Sequence, residues 1–170
     1  MAQYLIVNGP SPTIAAQVPV TTGTAIKTLL QVVPSATLGM RVKEWGISFD
    51  GYAPALPIRC ELLETDVAAT ITAHVVAGIV KWDQAALMGG DPTTNLIQVG
   101  SAVLTGYTAT AEGTITATRM FDPECIAPTN QYVKQFPLGL EPWVQTGKYL
   151  RIRVTAAAPV LAYCYVLVEV

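Results

Sequence analysis

The chain has 170 residues, 51% hydrophobic and only 13% charged, with a formal net charge of -2. That length fits one domain with a core that needs no disulfide staples, and the composition excludes a disordered chain. The 10 basic residues form no stripe, which excludes a phosphate-tracking nucleic-acid binder, and no apolar run approaches the ~20 residues of a spanning helix.

Residues 1–24 hold Pro10, Pro12 and Pro19 with little alternation, and are expected to form an extended N-terminal arm ahead of a domain over 25–170. The arm lacks the charged and apolar regions of a secretory signal. Beyond it, period-two alternation dominates, the mark of half-buried strands. Ala25–Val33 is the first, stopped by Pro34. Met40–Phe49 places Trp45, Ile47 and Phe49 on one face and Glu44, Gly46 and Ser48 on the other, and Asp50-Gly51 supplies a turn. Pro57–Glu64 sets Ile58, Cys60 and Leu62 against Arg59 and Glu61. Ala69–Val76 reads as a fourth strand. Val80–Leu87 reads as a short helix or an irregular loop, broken by Gly89-Gly90-Asp91-Pro92. Ile97–Leu104 reads as a short strand. Tyr107–Met120 reads as a long one with a bulge or bend at Gly113, and Asp122-Pro123 and Ala127-Pro128 mark a loop. Gln131–Phe136 follows. In Lys148–Thr155, Leu150, Ile152 and Val154 face in, while Tyr149, Arg151 and Arg153 face out. Pro159–Val170 is apolar on both faces, so it is expected at the centre of a sheet or beneath a neighbour.

About eight strands with regular turn signals and almost no amphipathic helix predict an all-β fold. The reading is a single antiparallel β-sandwich of jelly-roll type. An immunoglobulin-like sandwich stands second, since Cys60, Trp82 and Cys164 mimic its Cys…Trp…Cys order, but with too wide a spacing.

Chemistry is sparse. The three cysteines Cys60, Cys125 and Cys164 form no zinc pattern and read as buried thiols. His74 is the sole histidine, in an apolar run, so neither an imidazole metal site nor a Ser-His-Asp triad is expected. Gly89-Gly90-Asp91 lacks the lysine and helix of a phosphate loop. Asp50, Glu61, Glu64, Glu44 and Glu112 are the carboxylates from which a glycosidase pair would be drawn, and they read as ordinary strand residues. No catalytic residue, cofactor or metal is expected.

Binding residues stand out more clearly. Arg151 and Arg153, with Tyr149, are placed to dock an acidic partner or simply to keep a strand face soluble. Tyr163 and Tyr165 share a face with Leu161 and Leu167, either a second core or an oligomer interface. Tyr52, Tyr107, Tyr132 and Trp143 lie near turns, where aromatics cap a core or grip a sugar or a protein. The low charge predicts that another protein covers part of the surface.

Five segments carry a family resemblance. They are Arg41-Val42-Lys43-Glu44-Trp45-Gly46-Ile47-Ser48-Phe49-Asp50-Gly51, Arg59-Cys60-Glu61-Leu62-Leu63, Gln135-Phe136-Pro137-Leu138-Gly139-Leu140-Glu141-Pro142, Leu150-Arg151-Ile152-Arg153-Val154-Thr155-Ala156 and Ala162-Tyr163-Cys164-Tyr165-Val166. Together they resemble small virion structural proteins of tailed phages, of the head decoration (cement) type. The resemblance spans 25–170 and carries no catalytic residue. It implies a homotrimer on the capsid surface, bound to the major capsid protein lattice, with no nucleic-acid or membrane partner. A carbohydrate- or receptor-binding sandwich of a phage tail or fibre is the alternative.

Overall fold

The computed structural model describes residues 2–10, 16–50, 56–82 and 96–170. Its elements, in chain order, are β1 (Gln3–Val7), β2 (Val20–Thr21), β3 (Lys27–Val32), β4 (Met40–Asp50), β5 (Ile58–Thr65), β6 (Thr70–Ala73), β7 (Val80–Lys81), β8 (Gly106–Ala111), β9 (Thr118–Ile126), β10 (Tyr132–Gln135), β11 (Trp143–Val144), β12 (Tyr149–Thr155) and β13 (Leu161–Glu169), with one 3-10 turn at Val76–Gly78. The first sheet runs β10-β4-β13-β1-β7, with β11 on β4 and β2 on β13. The second runs β6-β8-β3-β12-β5-β9. Every pairing between neighbours is antiparallel.

The jelly roll is written in the strand order. Taken in sequence, the principal strands β1, β3, β4, β5, β9, β10, β12 and β13 cross from sheet to sheet except at the β5–β9 pair. They stack as β1-β13-β4-β10 over β3-β12-β5-β9, the double Greek key of that architecture. The immunoglobulin-like alternative does not have this order.

Alternation drives the packing. Tyr4 and Ile6, Val42, Trp45 and Ile47, and Ala162, Cys164, Val166 and Val168 point inward from the first sheet. Leu30, Ile58, Cys60, Leu62, Leu150, Ile152 and Val154 meet them from the second. Val42 and Trp45, three apart, share the inner face because the ladder to β13 slips between Leu167 and Val168, a bulge that restores phase.

Several expectations need correction. The extended arm expected over 1–24 is in part a sheet strand: β1 lies between β13 and β7 with Tyr4 and Ile6 wholly buried, and β2 pairs with Leu161 and Ala162. Pairing here satisfies the backbone and buries two large side chains, which a loose arm cannot do. Ile97–Leu104 is no strand: Ile97 makes one bridge to Pro34, and Leu104 N–H closes a turn on the Ser101 carbonyl at 3.0 Å. The strand expected over Tyr107–Met120 is split, with Gly113 at φ +73° between β8 and β9. β9 then continues through Asp122-Pro123, because a proline is tolerated on the outermost strand of a sheet. Of Val80–Leu87, Val80–Lys81 is strand. The expected breaker at 89–92 and the turn after Asp50 lie outside the described residues.

Candidate protein-binding surface

The two sheets treat their outer faces in opposite ways. On the second sheet, Gln31 and Arg151 are register partners on the outer face, yet both are buried. Gln31 donates to the Leu104 carbonyl at 2.7 Å and accepts from Ala69 N–H at 2.8 Å. Arg151 Nη1 donates to the Glu112 carboxylate at 2.9 Å and the Glu112 carbonyl at 3.1 Å, and Nη2 donates to the Val67 carbonyl. The same carboxylate accepts from Thr28 N–H and Oγ, both at 2.6 Å. Chain segments around Val67, Leu104 and Glu112 therefore roof this face.

Arg151 was expected on an outward face, docking an acidic partner or simply solvated, and the buried side chain is neither. Its direction follows the alternation, but its side chain is 0% exposed and ties the roof to the sheet. Burial pulls the Arg151 pKa down, against the pull of Glu112. Arg153 is half-buried, with Nε and Nη2 both 2.8 Å from Glu61 Oε2. Tyr149 sits beside them, half-buried, paired with Thr65.

On the first sheet the outer face carries an apolar strip along β1 and β13. Leu5 and Val7 of β1 lie beside Leu167 and Tyr165 of β13, with Val80 next to Leu5 and Tyr163 and Leu161 further along β13. All are half-buried or exposed. Tyr165 lies over Gly46, where a Cβ would stand 2.5 Å from its ring, and its hydroxyl donates to Glu44. Burial, then Glu44, raises the Tyr165 pKa. Tyr163 donates to the Gln17 carbonyl at 3.1 Å, so the chain near Gln17 sits against that corner. Among described residues, Leu5, Val7, Glu44, Trp82, Tyr165 and Leu167 line an open hollow of about 230 Å³, and Trp82 is 58% exposed.

A second apolar feature stands at the edge of this sheet. Pro137–Leu140 is a turn closed by Leu140 N–H on the Pro137 carbonyl at 2.9 Å, with Gly139 at φ +86°, the geometry of a type II turn. Its tips, Leu138 and Leu140, are 91% and 74% exposed. Glu141, itself buried, braces the turn: it accepts from Gly139 N–H at 2.7 Å and from Lys43 Nζ at 2.8 Å, with Arg41 at 3.7 Å. The Lys43 hydrogen bond foremost holds the Glu141 carboxyl down at about 2.

The expected binding residues are thus divided. Tyr149, Arg151 and Arg153 belong to one sheet, and Tyr163 and Tyr165 to the other. The aromatics near turns form no common platform. Tyr52 lies outside the described residues. Tyr107 packs on the His74 ring at 4.9 Å. Tyr132 packs on Trp45 at 5.3 Å and donates to Asp122 at 2.9 Å, an acceptor it shares with Trp45 Nε1–H. Trp143 is capped by Arg41, 5.6 Å from the ring centroid. Tyr132 pairs with Ile47 and Trp143 with Arg41, which sets them ~20 Å apart along β4.

The remaining candidates have structural partners. His74 is buried, its Nε2–H on the Val7 carbonyl at 2.8 Å, and burial lowers its pKa. Glu61 pairs with Arg153, and Glu64 with Arg119 at 2.9 Å and Gln145 N–H at 3.0 Å. Cys60 and Cys164 are buried free thiols, while Cys125, expected to be buried, is exposed on the edge strand β9. Sequence reasoning missed Leu5, Val7 and Trp82. The run Tyr4-Leu5-Ile6-Val7, apolar on both faces, was the signal for Leu5 and Val7.

Compared with protein-family models, curated proteins and solved structures, the chain matches none.

Proposed function

We propose that the chain is a virion structural protein that acts by binding rather than catalysis, decorating a phage head lattice and stabilising it. The carrying observation is the apolar outer face of the first sheet: Leu5, Val7, Tyr165 and Leu167, with Trp82 at its edge. The inner face of that sheet already forms the core, so the outer apolar residues contribute nothing to it. Contiguous apolar surface of this kind marks protein contact. The resemblance carried by Arg41–Gly51 and the four segments after it supplies the partner class: the major capsid protein lattice, on the outside of the virion, with the chain itself as a homotrimer. A protein that binds only the assembled lattice stabilises it by mass action. Closed rings of three match threefold lattice positions.

The test is co-sedimentation with empty shells of the source virus, followed by shell melting. Saturable binding and a raised shell melting temperature are expected. Protein that stays in the supernatant at large molar excess, with shell melting unchanged, overturns the proposal.

A further inference from the structure

We propose that the Leu138–Leu140 turn of one copy inserts into the hollow between Trp82, Tyr165 and Leu167 of a second copy, making a head-to-tail contact. This rests on the oligomeric reading above and names the surfaces that would make it.

Three observations carry it. The first is shape. A cavity of ~150 Å³ accepts a benzene ring, so on that scale the hollow of about 230 Å³ has room for roughly nine carbons. Two leucyl side chains bring four carbons each. The second is rigidity. The turn is fixed by its own hydrogen bond, by Gly139 in the left-handed region and by the Glu141 carboxylate. Its backbone is therefore ordered before binding, and only the leucyl rotamers remain to be fixed. The third is charge. Arg41, half-exposed at the base of the turn, is opposite in sign to Glu44 at the rim of the hollow, whose hydrogen-bond partners Tyr165 and Gln135 are neutral. An opposite pair at a rim favours this register over others.

The two surfaces do not meet within one chain. Leu138 and Leu140 line no part of the hollow and stay 91% and 74% exposed in the single chain, and the turn follows β10, two strand spacings from Tyr165 and Leu167 on β13, ~10 Å. The proposed contact uses one knob and one hollow per pair, which makes it heterologous rather than a reciprocal twofold, and such a contact closes into a ring when the rotation per copy divides a full turn.

Light scattering on the full chain tests the contact. Leu138→Asp/Leu140→Asp removes the knob and Trp82→Asp spoils the hollow. All three side chains are exposed, and circular dichroism checks that each variant folds. The wild type is expected to be oligomeric and each variant alone monomeric, with the self-association constant weakened at least about thirtyfold. Mixing the two variants restores one intact contact per pair, so the mixture is expected to give dimers and nothing larger. A monomeric wild type, either variant remaining oligomeric, or a mixture that stays monomeric overturns the inference. The outcome is separable from the decoration reading: a knob-less monomer that still sediments with shells removes this contact alone.

Discussion

Replacing Glu112 should damage the fold more than replacing the buried arginine it serves. Arg151 has no exposed side-chain surface and meets the Glu112 carboxylate at 2.9 Å. Among the described residues its Nε–H has no partner, so no further acceptor stands ready to replace the Glu112 carboxylate. Glu112→Ala leaves that cation buried and uncompensated, which costs ~3–5 kcal/mol. It also removes the acceptor for Thr28 N–H and Oγ, although the 22% exposure of the Glu112 side chain lets water replace part of it. The total is about 4 kcal/mol, a large share of the ~5–15 kcal/mol that holds a domain together. Arg151→Met is different. It fills part of the same space, removes the buried charge and leaves Glu112 a route to solvent, while the Val67 and Glu112 carbonyls lose a donor, so it costs ~1–2 kcal/mol. The double variant should then be more stable than Glu112→Ala alone, because the orphaned charge is gone. Urea unfolding followed by tryptophan fluorescence, at fixed protein concentration because oligomers gain apparent stability with it, measures all three. Equal costs for the two single variants, or a double variant at their sum, would refute the argument that the charge sets the penalty.

Thiol chemistry gives an independent check on the sandwich. Burial first, and the neighbouring Cys125 second, push the Cys60 thiol up to about 12, and burial raises Cys164 well above its ordinary value. With Cys125 exposed, a thiol reagent near pH 8 should titrate one cysteine quickly in the native protein and three in urea; three fast native thiols would contradict the core. Alkaline pH should act through Tyr132 and Tyr165. Their folded pKa values are raised, chiefly by burial, so their contribution is complete below the unfolded tyrosine value of ~10 and is lost as pH rises through the folded values. Phenolate absorbance should show these two hydroxyls ionising only together with unfolding, and two early-titrating hydroxyls at these positions, identified by Tyr→Phe variants, would count against the Asp122 and Glu44 hydrogen bonds.

How much of this could be read beforehand follows from where each side chain finds its partners. Met40–Asp50, Ile58–Thr65 and Tyr149–Thr155 are legible because one face of each enters the core and period-two alternation records it, and Leu161–Glu169 is legible as a long apolar run after Pro159. β1 hides because Tyr4-Leu5-Ile6-Val7 is a short apolar run without polar alternation, close to Pro10, Pro12 and Pro19. β9 hides behind Pro123, a residue barred from sheet centres but accepted at an edge, and no local pattern says which strand is an edge. Arg151 is the instructive case. Its outward direction is local and legible. Its burial comes from segments around Val67 and Glu112, 84 and 39 residues away in sequence, and no strand-level reading reaches that far.

The same contrast bears on function. In most sandwiches outward residues are polar and meet water. Here the second sheet sends Arg151 and Gln31 outward and then roofs them with its own chain. The first sheet sends Leu5, Val7, Tyr165 and Leu167 outward, and the described chain closes over only the Tyr163 corner. The polar outer face thus has its cover built in, while over the apolar residues, with the greater gain from leaving water, the described residues supply none beyond that corner. On the proposed reading a second molecule supplies that cover, and its surface lies on the first sheet, opposite the face on which the arginines of β12 sit.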